Sequence, residues 1–301
     1  MLPAELRQHY LQTGPFTYPG LYADYFRTLP NSPRELSELI SHQIIHRVTL
    51  AQGNAFANAD LRYGDMTRWP QGRLPCEDDI YLTAPAMAAG LFRLDPRGFV
   101  PDRRVEDKLV LTCRFVAVLV ASIYKAKGVP CRCRAGYAPY IQPGASMDHW
   151  INQIWNEEED RWVTFDADGL YDGLDLPFTP YDMDHGQFDW AAEAWLKVRA
   201  GEEDGERFLY ADCRGTRGLR ALARYLVYDF YALMNHEISY VFYPRYLGGF
   251  LGGQEELPAR RLEELDQLAR LLAEPDENFD QLTAWWQEQR GDLRDLAGPL
   301  I

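Results

Sequence analysis

Three residues of this 301-residue chain have the types and the order needed for acyl transfer: Cys113, His149 and Asp166. Cys113 stands where the sequence passes into an apolar run that reads as a buried helix. A thiol at a helix start faces the positive end of the macrodipole and the backbone N–H groups of the first turn. Both favour thiolate, the nucleophilic form of cysteine. The same N–H groups could hold the oxyanion of a tetrahedral intermediate. Taken alone, however, a cysteine here reads more readily as a core side chain, because free thiols are among the most often buried groups. His149 opens a strand-like segment after Pro143-Gly144 and Asp148. It would supply the imidazole that a thiol nucleophile needs, as base or as the cation of an ion pair. An isolated strand histidine would instead make one structural hydrogen bond.

The third member follows from sheet geometry, since opposed residues of an antiparallel pair share a face. If 149–155 and 162–168 form a hairpin with Trp155 opposite Trp162, His149 falls opposite Asp168 and diagonal to Asp166. A tighter register puts His149 opposite Asp166. Either carboxylate would orient the imidazole and hold its tautomer. Asp166 lies within the strand pattern and Asp168 beside Gly169, which favours Asp166. The order Cys, His, Asp has spacings of 36 and 17 residues.

The elements that must position these groups are legible around them. Cys113–Ala126 is apolar nearly all round, with Lys125 and Lys127 at its negative end and Gly128 and Pro130 to stop it. Strand-like pieces follow at Cys131–Ala138, 149–155 and 162–166, the last two joined by the polar turn 156–161. One helix followed by a meander of strands predicts an α+β fold with an antiparallel sheet. On the N-terminal side, 1–31 reads as an irregular lead-in and 52–80 as loops. Ser32-Pro33-Arg34-Glu35 starts a helix running to about Leu50, and Thr83 caps a helical piece over 84–92. On the C-terminal side, helices are expected over 219–234, around Leu262–Leu272 and over 279–289, with 201–205 as a surface linker. The whole reads as a single globular unit, 1–301. Within it, 1–104 is mainly helical or irregular, 105–180 the core and 181–301 helical.

Three segments resemble the transglutaminase-like superfamily, with its papain-like Cys-His-Asp core. Cys113 and its apolar helix lead to Gly128-Val129-Pro130-Cys131-Arg132 and to Gly136-Tyr137, similar to that family's nucleophile helix and first strand. Asp148-His149-Trp150 resembles its His strand, and Trp162-Val163-Thr164-Phe165-Asp166 its Trp-x-x-x-Asp strand. The likeness covers about 105–172. More loosely, 188–199 and 216–235 are similar to stand-alone bacterial members. Thr112 departs from the Gly or Asn often found before the nucleophile. The resemblance implies a buried nucleophile helix packed on an antiparallel sheet, with extra N- and C-terminal helices. It further implies Cys113 as nucleophile, His149 as base and acid, and Asp166 as orienting carboxylate. The superfamily includes cross-linking enzymes, peptidases, amidases and non-catalytic members, so the likeness selects no single reaction.

Other candidates are weaker. Cys131 and Cys133 share a strand face, but no second ligand pair matches them for zinc, so they read as small buried side chains. His42 and His46 are four apart on the expected helix over 32–50 and lack a His-Glu-x-x-His pattern, so they read as a helix–helix contact. That helix is a candidate to border the cleft through His42 or Gln43. Arg132 and Arg134 are expected to pair with carboxylates. No P-loop, dinucleotide fingerprint or nucleophile-elbow serine occurs, so no cofactor and no metal is expected.

Lys and Arg number 31 against 45 Asp and Glu, a net charge of −14. That balance disfavours nucleic acid and anionic membranes as partners. Residues 251–301 hold 12 acidic and 5 basic side chains and read as a solvated helical face. The first residues lack a signal-peptide pattern, and five cysteines fit no disulfide framework, so a reduced, cytoplasmic protein is expected. The expected partner is a peptide, amide or thioester acyl donor, with water or an amine as acceptor. The alternative is a binding or scaffold protein without turnover.

Overall fold

The computed structural model describes residues 1–46, 77–169, 171, 174–212, 214–288 and 294–298, without the side chains of Asp78 and Asp79. The expectations for 47–76, Cys76, Cys213 and Gln289 lie outside these. The fold is mixed α+β around a curled antiparallel sheet. The chain divides into two compact units, Met1–Cys133 with Trp150–Met183, and Arg134–His149 with Asp184–Ile301.

In the first unit the lead-in is not irregular. It carries α1 (Ala4–Leu11) and α2 (Ala23–Thr28), which bury Leu6, Tyr10 and Phe26. The next helix, α3 (Pro33–Ser41), starts as expected, with Ser32 Oγ accepting from Glu35 N at 3.1 Å and Pro33 in the first turn. It does not run to Leu50. The chain leaves the helix at His42 and forms β1 (Ile44–His46). A short helix, α4 (Glu77–Ile80), replaces the end of the expected loop, and α5 (Ala84–Leu94) follows its Thr83 cap.

Then come β2 (Leu109–Leu111) and α6 (Cys113–Ala126). Strand β2 pairs in parallel with β1, Ile44 opposite Leu109 and His46 opposite Leu111. Its Val110 N–H is taken by the buried Glu77 carboxylate at 2.5 Å. Every residue of α6 from Cys113 to Lys125 is buried. Each of its Val, Leu, Ile and Phe side chains contributes roughly 1.5–3 kcal/mol on leaving water. Its C-terminus is closed by cations and glycine. Lys125 Nζ donates to Gln12 O at 2.8 Å, Lys127 Nζ to Asn31 Oδ1 at 2.9 Å, and Arg27 Nε to Ala126 O at 3.0 Å. Gly128, at φ +79°, then turns the chain.

The central strands are β3 (Cys131–Ala138), β4 (Ser146–Asn156) and β5 (Arg161–Phe165). They form a five-stranded sheet with β6 (Asp189–Trp190) beside β3 and β7 (Phe208–Leu209) on β4. Trp155 stands opposite Trp162, so the first of the two expected registers is the one adopted. The paired residues end at Asn152 and Phe165.

In the second unit β6 pairs with β3, Gly136 opposite Trp190, and β7 pairs in parallel with β4 at Ser146 and Met147. Helix α7 (Ala191–Ala200) ends at Gly201, φ +75°, within the expected linker. Helix α8 (Gly218–Leu233) is buried over most of its length and packs on α7. Asp229 of α8 accepts from Arg134 Nε and Nη2, both at 2.8 Å, and from Ala135 N at 2.9 Å. The remaining elements are β8 (Tyr243–Pro244), α9 (Gly248–Leu251), α10 (Ala259–Ala273), α11 (Phe279–Glu288) and β9 (Leu296–Ala297). No described helix is long and apolar enough to cross a membrane.

Candidate active site

Cys113 is the first residue of α6 and is buried, its thiol in no disulfide. Thr112 precedes it in an extended conformation and places no side-chain cap on the helix. Phe115 N and Val116 N both turn back to Thr112 O, at 3.0 and 3.3 Å. The Thr112 hydroxyl is shielded from solvent and has no hydrogen-bond partner among the described residues. One residue beyond the thiol, Arg114 is fully buried. Its Nη1 donates to Leu82 O at 2.9 Å, and its guanidinium carbon lies 4.7 and 4.9 Å from the Phe16 and Phe115 rings. Helix start and buried guanidinium therefore put positive potential at the same end of α6.

Asp166 follows the last residue of β5 and is completely buried. Its N–H donates to Pro180 O at 2.8 Å, and its carbonyl accepts from Tyr171 Oη at 2.9 Å. The carboxylate Oδ1 accepts from Asp168 N at 3.0 Å, closing a turn of the kind aspartates form with the backbone two residues on. The two candidate carboxylates are thus parts of one turn. Both lie just past the ladder, where the sequence pattern put Asp166 inside the strand.

His149 is fully buried on β4, between the stretch paired with β7 and the stretch paired with β5. Its ring meets Tyr140 edge-on, with centroids 6.4 Å apart. Its neighbour Asp148 is anchored twice, Oδ2 accepting from Tyr225 Oη at 2.5 Å and Oδ1 from Ala211 N at 2.8 Å. Burial pushes the Asp148 carboxyl above its ordinary range, against the Tyr225 and Ala211 bonds and the charges of His149 and Arg224. Cys113 and Asp166 belong to the first unit and His149 to the second, at the residue where β4 passes between them.

The secondary candidates resolve into structure. Cys133 Sγ donates to Ala117 O at 3.3 Å, and Cys131 is buried. Arg134 pairs with Asp229 as expected. Arg132 meets an amide and a ring. It donates to Gln153 Oε1 at 2.7 Å and stacks 4.1 Å from the Trp162 ring. Gln43 does not border a cleft, for its amide is consumed within the unit. Nε2 donates to Leu39 O and Val100 O, and Oε1 accepts from Val100 N and Arg103 Nε. His42 and His46 are not on one helix, since His42 ends α3 and His46 sits in β1.

Sequence reasoning missed His46, whose Nε2 lies 3.3 Å from Asp168 Oδ2 with both side chains buried. No local signal reveals a contact across 122 residues. It also missed Tyr225 as the anchor of Asp148. Among the described residues no group of three or more His, Cys, Asp or Glu could hold a metal ion. No family model, no curated protein and no solved structure matches the chain.

Proposed function

We propose that the protein is a cysteine-dependent acyl-transfer enzyme working on an amide, ester or thioester. The observation that supports this best is the place of Cys113. A buried thiol is the first residue of a long buried helix, with no side-chain cap competing for the first turn and a buried guanidinium one residue on. The resemblance of three ordered segments to the transglutaminase-like superfamily supports the same reading.

In this mechanism the Cys113 thiolate attacks the carbonyl carbon. A C–S bond forms, and the carbonyl π pair moves to oxygen, which the N–H groups at the start of α6 stabilise. The tetrahedral intermediate collapses with loss of the amine, alcohol or thiol, and His149 gives the leaving group its proton. Asp166 orients His149 and stabilises the imidazolium. Water or an amine then attacks the thioester, His149 accepts the incoming proton, and the C–S bond breaks to return the thiolate. Water gives hydrolysis and an amine gives ligation, the latter favoured where the site excludes water.

The test is intact-mass analysis of the wild type and Cys113→Ala after exposure to activated acyl esters and peptide amides. An adduct on the wild type, trapped by rapid acid quench and absent from Cys113→Ala, is the expected result. No adduct with any donor, and Cys113 alkylated no faster than a solvent-exposed thiol, would remove the reading in favour of a non-catalytic scaffold.

A further inference from the structure

We propose that His46 is a positioning residue for Asp166, acting through Asp168. The inference deepens the acyl-transfer reading and rests on it, because it assigns the support of the carboxylate that orients His149. His46, Asp166 and Asp168 all belong to the first unit.

The contacts run in a line. His46 Nε2 lies 3.3 Å from Asp168 Oδ2, with side chains 4% and 1% exposed. The Asp168 backbone N–H donates to Asp166 Oδ1 at 3.0 Å. The Asp166 backbone is held by Pro180 O and Tyr171 Oη. A carboxylate brought this far from water needs a partner of opposite charge or several donors. His46 is the imidazole that faces Asp168. With Asp168 fixed by His46, its N–H points at Asp166 Oδ1, and the Asp166 side chain keeps one rotamer. With Asp168 released, the turn loses the anchor that directs that N–H.

The place of His46 is itself built. Strand β1 pairs in parallel with β2, which sets His46 opposite Leu111, two residues before Cys113. Paired strands lie ~4.8 Å apart, so His46 stands beside the residue two before Cys113. The strand paired with the one that leads into the nucleophile therefore carries the partner of the carboxylate turn. One ladder sets both ends of the proposed machinery. Groups that orient metal ligands change activity by ~10–100-fold when removed, and the same scale is taken for this support.

The readout is the pH profile of Cys113 alkylation by iodoacetamide, resolved to the Cys113 peptide by mass spectrometry. It is measured on full-length wild type, His46→Ala, His46→Gln, Asp168→Asn and Asp166→Asn. If Asp166 orients the imidazolium that partners the thiolate, the wild type alkylates well below pH 7. His46→Ala and Asp168→Asn then lose about tenfold of that low-pH rate. Combining them loses no more than either alone, since they act through one turn. His46→Gln, whose amide can reach Asp168 as the imidazole does, recovers to within about threefold of wild type. Should His46→Ala fail to fold, the near-isosteric Asp168→Asn carries the test. A wild-type low-pH limb that Asp166→Asn abolishes and Asp168→Asn leaves intact overturns the role of His46 while sparing the acyl-transfer reading. So do variants that lower the melting temperature without moving the profile. A wild type with no low-pH limb removes both proposals together.

Discussion

Replacing Asp229 by Ala tests whether one buried carboxylate holds β3 onto α8. Asp229 is fully buried and accepts three hydrogen bonds, two from the Arg134 guanidinium and one from Ala135 N. The Arg134 side chain is 5% exposed and lies 4.6 Å from the Trp190 ring, so the cation has no route to water when its partner is removed. An uncompensated buried charge costs about 3–5 kcal/mol. The orphaned Ala135 amide adds roughly 1–3 kcal/mol. Asp229→Ala should therefore lose about 4–8 kcal/mol, a large share of a typical domain's ~5–15 kcal/mol. Asp229→Asn keeps one acceptor oxygen and should lose less. The double variant Arg134→Met, Asp229→Leu removes both charges and should lose only the amide's share, ~1–3 kcal/mol. Urea unfolding followed by tryptophan fluorescence and circular dichroism gives the free energies, and amide exchange at Ala135 reports the site. A loss below 1 kcal/mol in Asp229→Ala, or a double variant as unstable as the single one, would falsify the account.

Two further outcomes follow from packing and charge. A Cβ added at Gly136 would sit 2.5 Å from Phe188 Cε1 and 2.6 Å from Asp189 O, the latter immovable backbone of the neighbouring strand. Gly136→Ala should lower stability by ~1–3 kcal/mol and raise amide exchange at the β3–β6 pair, and an unchanged melting temperature would contradict it. Burial, with the Arg103 charge second, pushes the Lys108 amine down to about 8. Between pH 8 and the ordinary lysine value of ~10.4 the unfolded chain holds a proton that the fold has lost, so this group makes stability rise with pH across that window. Lys108→Met should flatten that rise and stabilise the protein at pH 7 by about 3 kcal/mol, read from urea midpoints at pH 7 and pH 10. Equal pH dependence in both proteins would refute the assignment.

The parts of the fold that were legible in the sequence are those fixed by neighbours along the chain. Helix α6 has the bounds expected of it because its apolar face, terminal lysines and Gly128 all act within one segment. The caps at Ser32 and Thr83 form for the same reason. The hairpin register was one of two that the sequence left open, the one that matches two tryptophans across a short turn. Strand β1 was not legible. Ile40, Ile44, Ile45 and Val48 fit a helical period as well as a buried strand, and what decides between them is pairing with Leu109–Leu111, more than 60 residues away. The passage of the chain between units inside β3 and β4 was equally hidden, because nothing in the composition of a strand marks such a point.

That misreading bears on how a thiol site can be supported. Had α3 continued to Leu50, His46 would have sat one turn from His42 on a helix face, and Asp168 would be buried without it. Because α3 stops at Ser41, the histidine is carried on the strand paired with the one that enters α6. The same non-local ladder that defeats a reading by periodicity thus brings an imidazole to Asp168. Neighbouring contacts along the chain specify where Cys113 begins its helix. Pairing between distant segments specifies what surrounds the carboxylate turn. Substitutions in β1 that weaken the ladder without touching His46, such as Ile45→Gly, should therefore disturb Cys113 alkylation in the same direction as His46→Ala. Ile45→Val, which keeps a β-branched side chain in the ladder, should leave it within about twofold of wild type. Equal alkylation profiles for Ile45→Gly and wild type would separate the ladder from the site.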